Sequence, residues 1–179
     1  MPNAIKAPYL SSGNVGMPPL EVWPEAASQD FGPGALITLV ADTGVLKVTK
    51  VGNNTTTLIY GMAMHDASGT EDADVNVQPL PPSVQFVMCV ATPTADAAAS
   101  TTTYAYMCEA ELHCHGSVDP YHQYIDSTNI GDQATSANAS VVIIKDAPLD
   151  NSSESYGLYV CKVADAFWQG TVGIGSAQS

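Results

Sequence analysis

Gly34-Ala-Leu-Ile-Thr-Leu-Val-Ala41, then Asp42-Thr-Gly44, then Val45-Leu-Lys-Val-Thr-Lys-Val51 is the stretch that decides the fold. Two runs rich in β-branched and aliphatic residues flank a short turn whose glycine accepts a positive φ at no steric cost, which is a hairpin signal. Downstream, Thr56 to Met64 reads as a third strand containing Gly61. Asp66-Ala-Ser-Gly69-Thr-Glu-Asp-Ala-Asp74 reads as a polar loop before a strand at Val75 to Val77. Pro79, Pro81 and Pro82 interrupt pairing ahead of an apolar strand at Val84 to Ala91.

Farther on, residues 92–102 are a low-complexity segment that suits a linker or one short helix. Alternation then resumes. Tyr104, Tyr106, Cys108, Ala110, Leu112 and Cys114 fall on one face of a strand, and Met107, Glu109, Glu111, His113 and His115 on the other. Ser140 to Lys145, Gly157 to Val163 and Thr171 to Ile174 complete the strand candidates. There is no internal repeat and no amphipathic helix longer than two turns.

Upstream, residues 1–34 hold Pro2, Pro8, Pro18, Pro19, Pro24 and Pro33 with little periodicity, which argues for an extended arm. Such an arm can lie across a neighbour or wrap its own domain. Leu10, Met17, Leu20, Val22 and Trp23 are its candidate apolar anchors for a partner. The expected fold is therefore mainly β, a compact β-barrel or β-sandwich with an extended N-terminal arm. The arm covers 1–34, a first β half 35–91, a linker 92–102 and a β-rich second half 103–179.

A chain of 179 residues can bury about 70% of its unfolded surface in a core. Its net charge is −13, with five cations in Lys6, Lys47, Lys50, Lys145 and Lys162 and no arginine. Nucleic-acid binding needs clustered cations to displace counterions from phosphates, so that class is set aside, and an anionic membrane surface with it. No apolar run approaches the roughly 20 residues of a membrane-spanning helix. Met1-Pro-Asn-Ala-Ile-Lys6 lacks the charged-then-apolar profile of a secretory signal, so the expectation is a protein made in a reducing cytoplasm. Cys89, Cys108, Cys114 and Cys161 form no Cys-x-x-Cys pair and read as buried thiols. The sequons at Asn53, Asn54, Asn138 and Asn151 then carry little meaning.

Three features of the chain resemble chemical motifs. His113 and His115 project to one side of a strand beside Glu111, a workable metal-ligand pair with His122 as the third candidate. Cupin-type metal enzymes use such a pair, with a glycine six residues before and a glutamate four or five residues after. Here Met107 and Asp119 or Pro120 stand there, so the expectation is no metal, no cofactor and no catalytic residue, with a cupin-like enzyme as the third reading. The Asp66 to Asp74 loop lacks the one-three-five oxygen spacing of an EF-hand and reads as a solvated acidic loop. Trp23, Trp168 and the eight tyrosines suit core or interface anchors better than a sugar platform, but a carbohydrate-binding or adhesion module of a viral spike or fibre is the main alternative.

Order and spacing of five segments carry a resemblance. They are Phe31-Gly-Pro-Gly-Ala-Leu-Ile-Thr-Leu, Gly44-Val-Leu-Lys-Val, Ile59-Tyr-Gly61-Met-Ala63-Met, Asp66-Ala-Ser-Gly69 and Val75-Asn-Val-Gln-Pro79. The arrangement resembles the head decoration, or cement, proteins of tailed bacteriophages, best over residues 31–90. Residues 120–165, with Asp126-Ser-Thr, Val141-Val-Ile-Ile and Gly157-Leu-Tyr-Val, are more loosely similar to the second half of such proteins. The resemblance implies a β-rich homo-oligomer, a trimer by preference, made in the host cytoplasm. It would sit on the outer surface of the capsid, bind the major capsid protein and tie capsomers together.

Overall fold

The computed structural model describes residues 7–52, 57–92, 97–98, 108–114, 123–130, 139–147 and 157–170. Among them the hairpin forms as its turn chemistry dictates: β3, Leu36–Asp42, pairs antiparallel with β4, Val45–Lys50. Thr43 and Gly44 at its tip both have positive φ, 48° and 86°, the twist that matches a two-residue hairpin. On the other side of β3 lies β5, Gly61–Ala63, followed by β6, Asp74–Pro79, and β2, Glu21–Pro24. The sheet order is thus β2-β6-β5-β3-β4, every pairing antiparallel. A parallel bridge from Glu25 to Val48, with Ala26 N–H donating to Val48 O at 3.0 Å, curls β2 back towards β4. Phe31, Ile37, Leu39, Val48, Val75 and Val77 fill the concave side.

Gly61 is required where β5 crosses β6. A Cβ there would lie 2.5 Å from Gln78 O and 2.7 Å from Val77 Cγ1, closer than carbon tolerates.

A second sheet is centred on β7, Phe86–Thr92, with β9, Cys108–Cys114, β10, Gln123–Ile130, β11, Val141–Asp146, and β12, Leu158–Val163. Pairing runs β7-β10-β9-β11-β12 and β12 also pairs with β7, so the order returns to its start. The β7–β10 pairing is parallel. Two short strands, β1 at Tyr9–Leu10 and β8 at Ala97–Ala98, add to β7. Phe86, Met88 and Val90 of β7 point into the same core as Ile125, Val141, Ile143 and Cys161. Leu36, Met62 and Leu80 of the first sheet enter that core from the other side. The result is a sandwich-like, mainly β fold, the class the sequence predicts.

Leu36, Ile37, Thr38 and Leu39 are all buried because β3 has a core on each face. Two side-chain amides fasten the sheets at this strand. Gln123 Oε1 accepts from Leu36 N–H at 2.5 Å, and its Nε2 donates to Leu36 O at 3.1 Å and to Val51 O at 2.8 Å. Gln169 Oε1 accepts from Leu39 N–H at 2.8 Å and its Nε2 donates to Leu39 O at 2.5 Å. Each amide takes the place of a strand residue that the sheet lacks there, so buried backbone groups stay satisfied.

Several elements differ from expectation. The third strand, expected over Thr56 to Met64, is only Gly61–Ala63, because Ile59 bridges Trp168 instead, its N–H donating to Phe167 O at 2.7 Å; Thr56 lies outside the described residues. β10 had no strand signal of its own. Ala97–Ala98 pairs with β7 inside the stretch read as a linker; the rest of 93–102, and Thr171 to Ile174, lie outside the described residues. Cys89 and Cys161 are buried thiols.

Candidate interaction surface

The N-terminal stretch is where apolar side chains meet solvent. From residue 7 onward it lies along the chain's own sheets and is tied down at intervals. Tyr9 and Leu10 pair with Val87 and Phe86. Gly34, with φ +90°, leaves room for the Pro8 carbonyl, which a Cβ would strike. Asn14 pairs with the Gln85 backbone in both directions: its Nδ2 donates to Gln85 O and its Oδ1 accepts from Gln85 N–H, each at 2.7 Å. The Gln78 amide donates to Pro18 O at 2.9 Å, and Glu21 to Pro24 then pair with β6. This segment is a strap, fixed at both ends.

Its five candidate anchors divide. Leu10 and Trp23 are half-buried against the chain's own two cores. Trp23 Nε1–H donates to Glu21 Oε2 at 2.8 Å, and its ring stands edge-on to Tyr60 at 5.7 Å and 82°. Met17, Leu20 and Val22 are exposed, Leu20 and Val22 by 57% and 58%. Two neighbours carry no sequence signal. Val22 lies opposite Asn76, and Met64 bonds to Asn76 from the other side, so Val22, Asn76 and Met64 form an exposed row across β2, β6 and the end of β5. Only the sheet register brings them together.

The acidic loop is anchored as well as solvated. Glu25, 1% exposed, accepts from Ser68 N–H at 2.8 Å, Ser68 Oγ–H at 3.1 Å and Gly69 N–H at 2.7 Å. Lys47 is buried on β4, with its ammonium 3.0 Å from both Asp42 Oδ2 and Asp72 Oδ1 and also bonded to Glu71. Glu71, then Asp72 and Asp42, hold the amine charged well above the ordinary lysine range. Burial, then the Glu21 carboxylate bonded to its hydroxyl, pushes the Tyr60 phenol up.

His113 lies in β9 with its backbone paired to Tyr124, while His115 and His122 lie outside the described residues. Among the described residues no group of three or more His, Cys, Asp or Glu side chains is placed to hold a metal. Trp168 packs partly buried against the main core beside Phe167.

No protein-family model matches this sequence. No curated protein matches it. Among solved structures, the fold is similar to the head fibre gp8.5 N base of bacteriophage phi29, with a TM-score of 0.46 and 9% identity over 82% of this chain and 96% of that one. Likeness at that level decides nothing about this chain, and the reading that follows rests on its own residues.

Proposed function

We propose that this chain is a structural, non-catalytic protein of a tailed-bacteriophage virion, a decoration protein that binds the outer surface of the head and stabilises contacts between capsomers. The observation that carries the reading is the exposed set Met17, Leu20 and Val22 on a strap already fixed to its own sheets. Docking such a surface orders little new backbone, so most of the burial energy is kept for binding. Apolar side chains of this size contribute on the order of 1.5–3 kcal/mol each when fully buried. Repetition over a lattice multiplies modest single-site affinity.

Two further features support the same reading. The resemblance spans the segments that form the hairpin, β5, the acidic loop and β6. A charge of −13 without arginine suits a partner that is protein, the major capsid protein, and not the packaged nucleic acid. Self-association into a trimer belongs to the same proposal, and light scattering at tens of micromolar measures it.

The test mixes the purified chain with heads assembled without it and follows occupancy and the temperature at which the shells rupture. Saturable binding with a raised rupture temperature is expected. Heads that bind none of the chain would refute the proposal.

A further inference from the structure

Eight large hydrophobic residues are exposed among the described residues, and five of them, Tyr9, Val15, Met17, Leu20 and Val22, lie on the strap. Register extends that patch onto the first sheet. Val22, Asn76 and Met64 are side by side on adjacent strands, the spacing at which cross-strand side chains touch. Gln78, on the same face of β6 two residues beyond Asn76, holds Pro18 and so keeps Met17 and Leu20 beside the row. Along the other direction of β6 the same face carries Asp74, exposed, and Asp66 is exposed two residues after Met64. No lysine stands on β2, β5 or β6, and Lys47 is buried among its three carboxylates.

We infer that the row Val22–Asn76–Met64, with Leu20 and Met17 beside it, docks a different protein whose surface is apolar at the centre and basic opposite Asp66 and Asp74. Charge selects this occupant over a second copy. A second copy would set the same carboxylates against each other and add another −13 to the assembly, with no cation on the face to offset them. A partner bearing Arg or Lys at the rim gains attraction on approach while the apolar centre supplies the attachment. The inference rests on the head-binding reading and specifies which face binds and what it meets.

Heads assembled without the protein are the probe, titrated with the fluorescently labelled full chain at low and at raised salt. Val22→Ser with Met64→Ser weakens binding by about tenfold or more. Asp66→Asn with Asp74→Asn weakens it by about threefold and flattens its salt dependence. Val45→Ser, at an equally exposed apolar residue on the β3–β4 turn, leaves binding unchanged. Circular dichroism and melting curves matching the parent establish that each variant is folded. Binding of the intact chain that is indifferent to the first two pairs overturns the inference and leaves the head-binding reading standing. So does a change in the chain's own mass by light scattering in Val22→Ser, Met64→Ser, which would assign the face to a second copy. Absence of binding by the intact chain overturns both.

Discussion

The two sheets are assembled by different rules. In the first, β3–β4 and β5–β6 join consecutive strands, β3–β5 skips only one, and β2 alone comes from farther away. In the second, β9–β10 and β11–β12 are local too, but the central strand β7 pairs with β10 and β12, so both of those ladders close a long loop before any contact repays it. The first sheet also carries ionised groups inside or beneath it, Lys47 and Glu25, each matched by named partners. The second lends a buried amide, Gln123, to the first. The first sheet sets its register mostly through local pairs yet leans on the second for the amide that satisfies its backbone at Leu36.

That difference is broken most severely at Gln123. Gln123→Leu leaves Leu36 N–H without its acceptor in the core and removes the two bonds the amide donates to Leu36 O and Val51 O; at about 1–3 kcal/mol for the unsatisfied donor and about 1 kcal/mol for each lost bond, the expected loss is roughly 3–5 kcal/mol. Denaturant unfolding measures it. A loss under about 1 kcal/mol would mean that the two sheets do not depend on this joint.

Glu25→Gln sharpens the comparison from the first sheet's side. A carboxamide turns one acceptor into a donor facing N–H groups, so about 2 kcal/mol is lost. Hydrogen exchange at Ser68 and Gly69 should quicken while β11 and β12 stay protected. Equal loosening of both sheets contradicts the assignment of Glu25 to the loop alone.

How far the sequence revealed this plan follows the same divide. The hairpin was legible because Thr43 and Gly44 sit where a two-residue turn needs positive φ between two β-branched and aliphatic runs, whereas the burial of both faces of Leu36 to Leu39 emerges only from the packing. β10 was not, since Gln-Tyr-Ile-Asp-Ser-Thr-Asn-Ile has no clean alternation and gains its place through parallel pairing with β7. β1 and β2 were hidden by prolines that suit edge strands as well as an arm. Of the surface, Met17, Leu20 and Val22 were readable as apolar residues in a polar stretch. Met64 and Asn76 join them only through register, which no local pattern encodes.

The smallest effect at neutral pH appears only in alkali. Native Lys47 and Tyr60 both hold their protons more tightly than the unfolded chain, whose values are the ordinary 10.5 and 10.0. Their stabilisation is therefore complete below about pH 10 and is lost as pH climbs through those values towards the raised folded ones. Melting temperature against pH should be level up to that point and then fall, and Lys47→Met with Tyr60→Phe should fall less steeply. Parallel curves for the parent and the double variant would show that neither group is held as described.

On the docking proposal, the first sheet and its strap meet the head and the second sheet is scaffold. Hydrogen exchange of the chain bound to heads, compared with the chain alone, tests it most directly. New protection confined to residues 17–24 and to the Met64 and Asp74–Asn76 backbone is predicted, with β9, β11 and β12 unchanged. Protection falling on β9, β11 and β12 with the strap unaltered would contradict it.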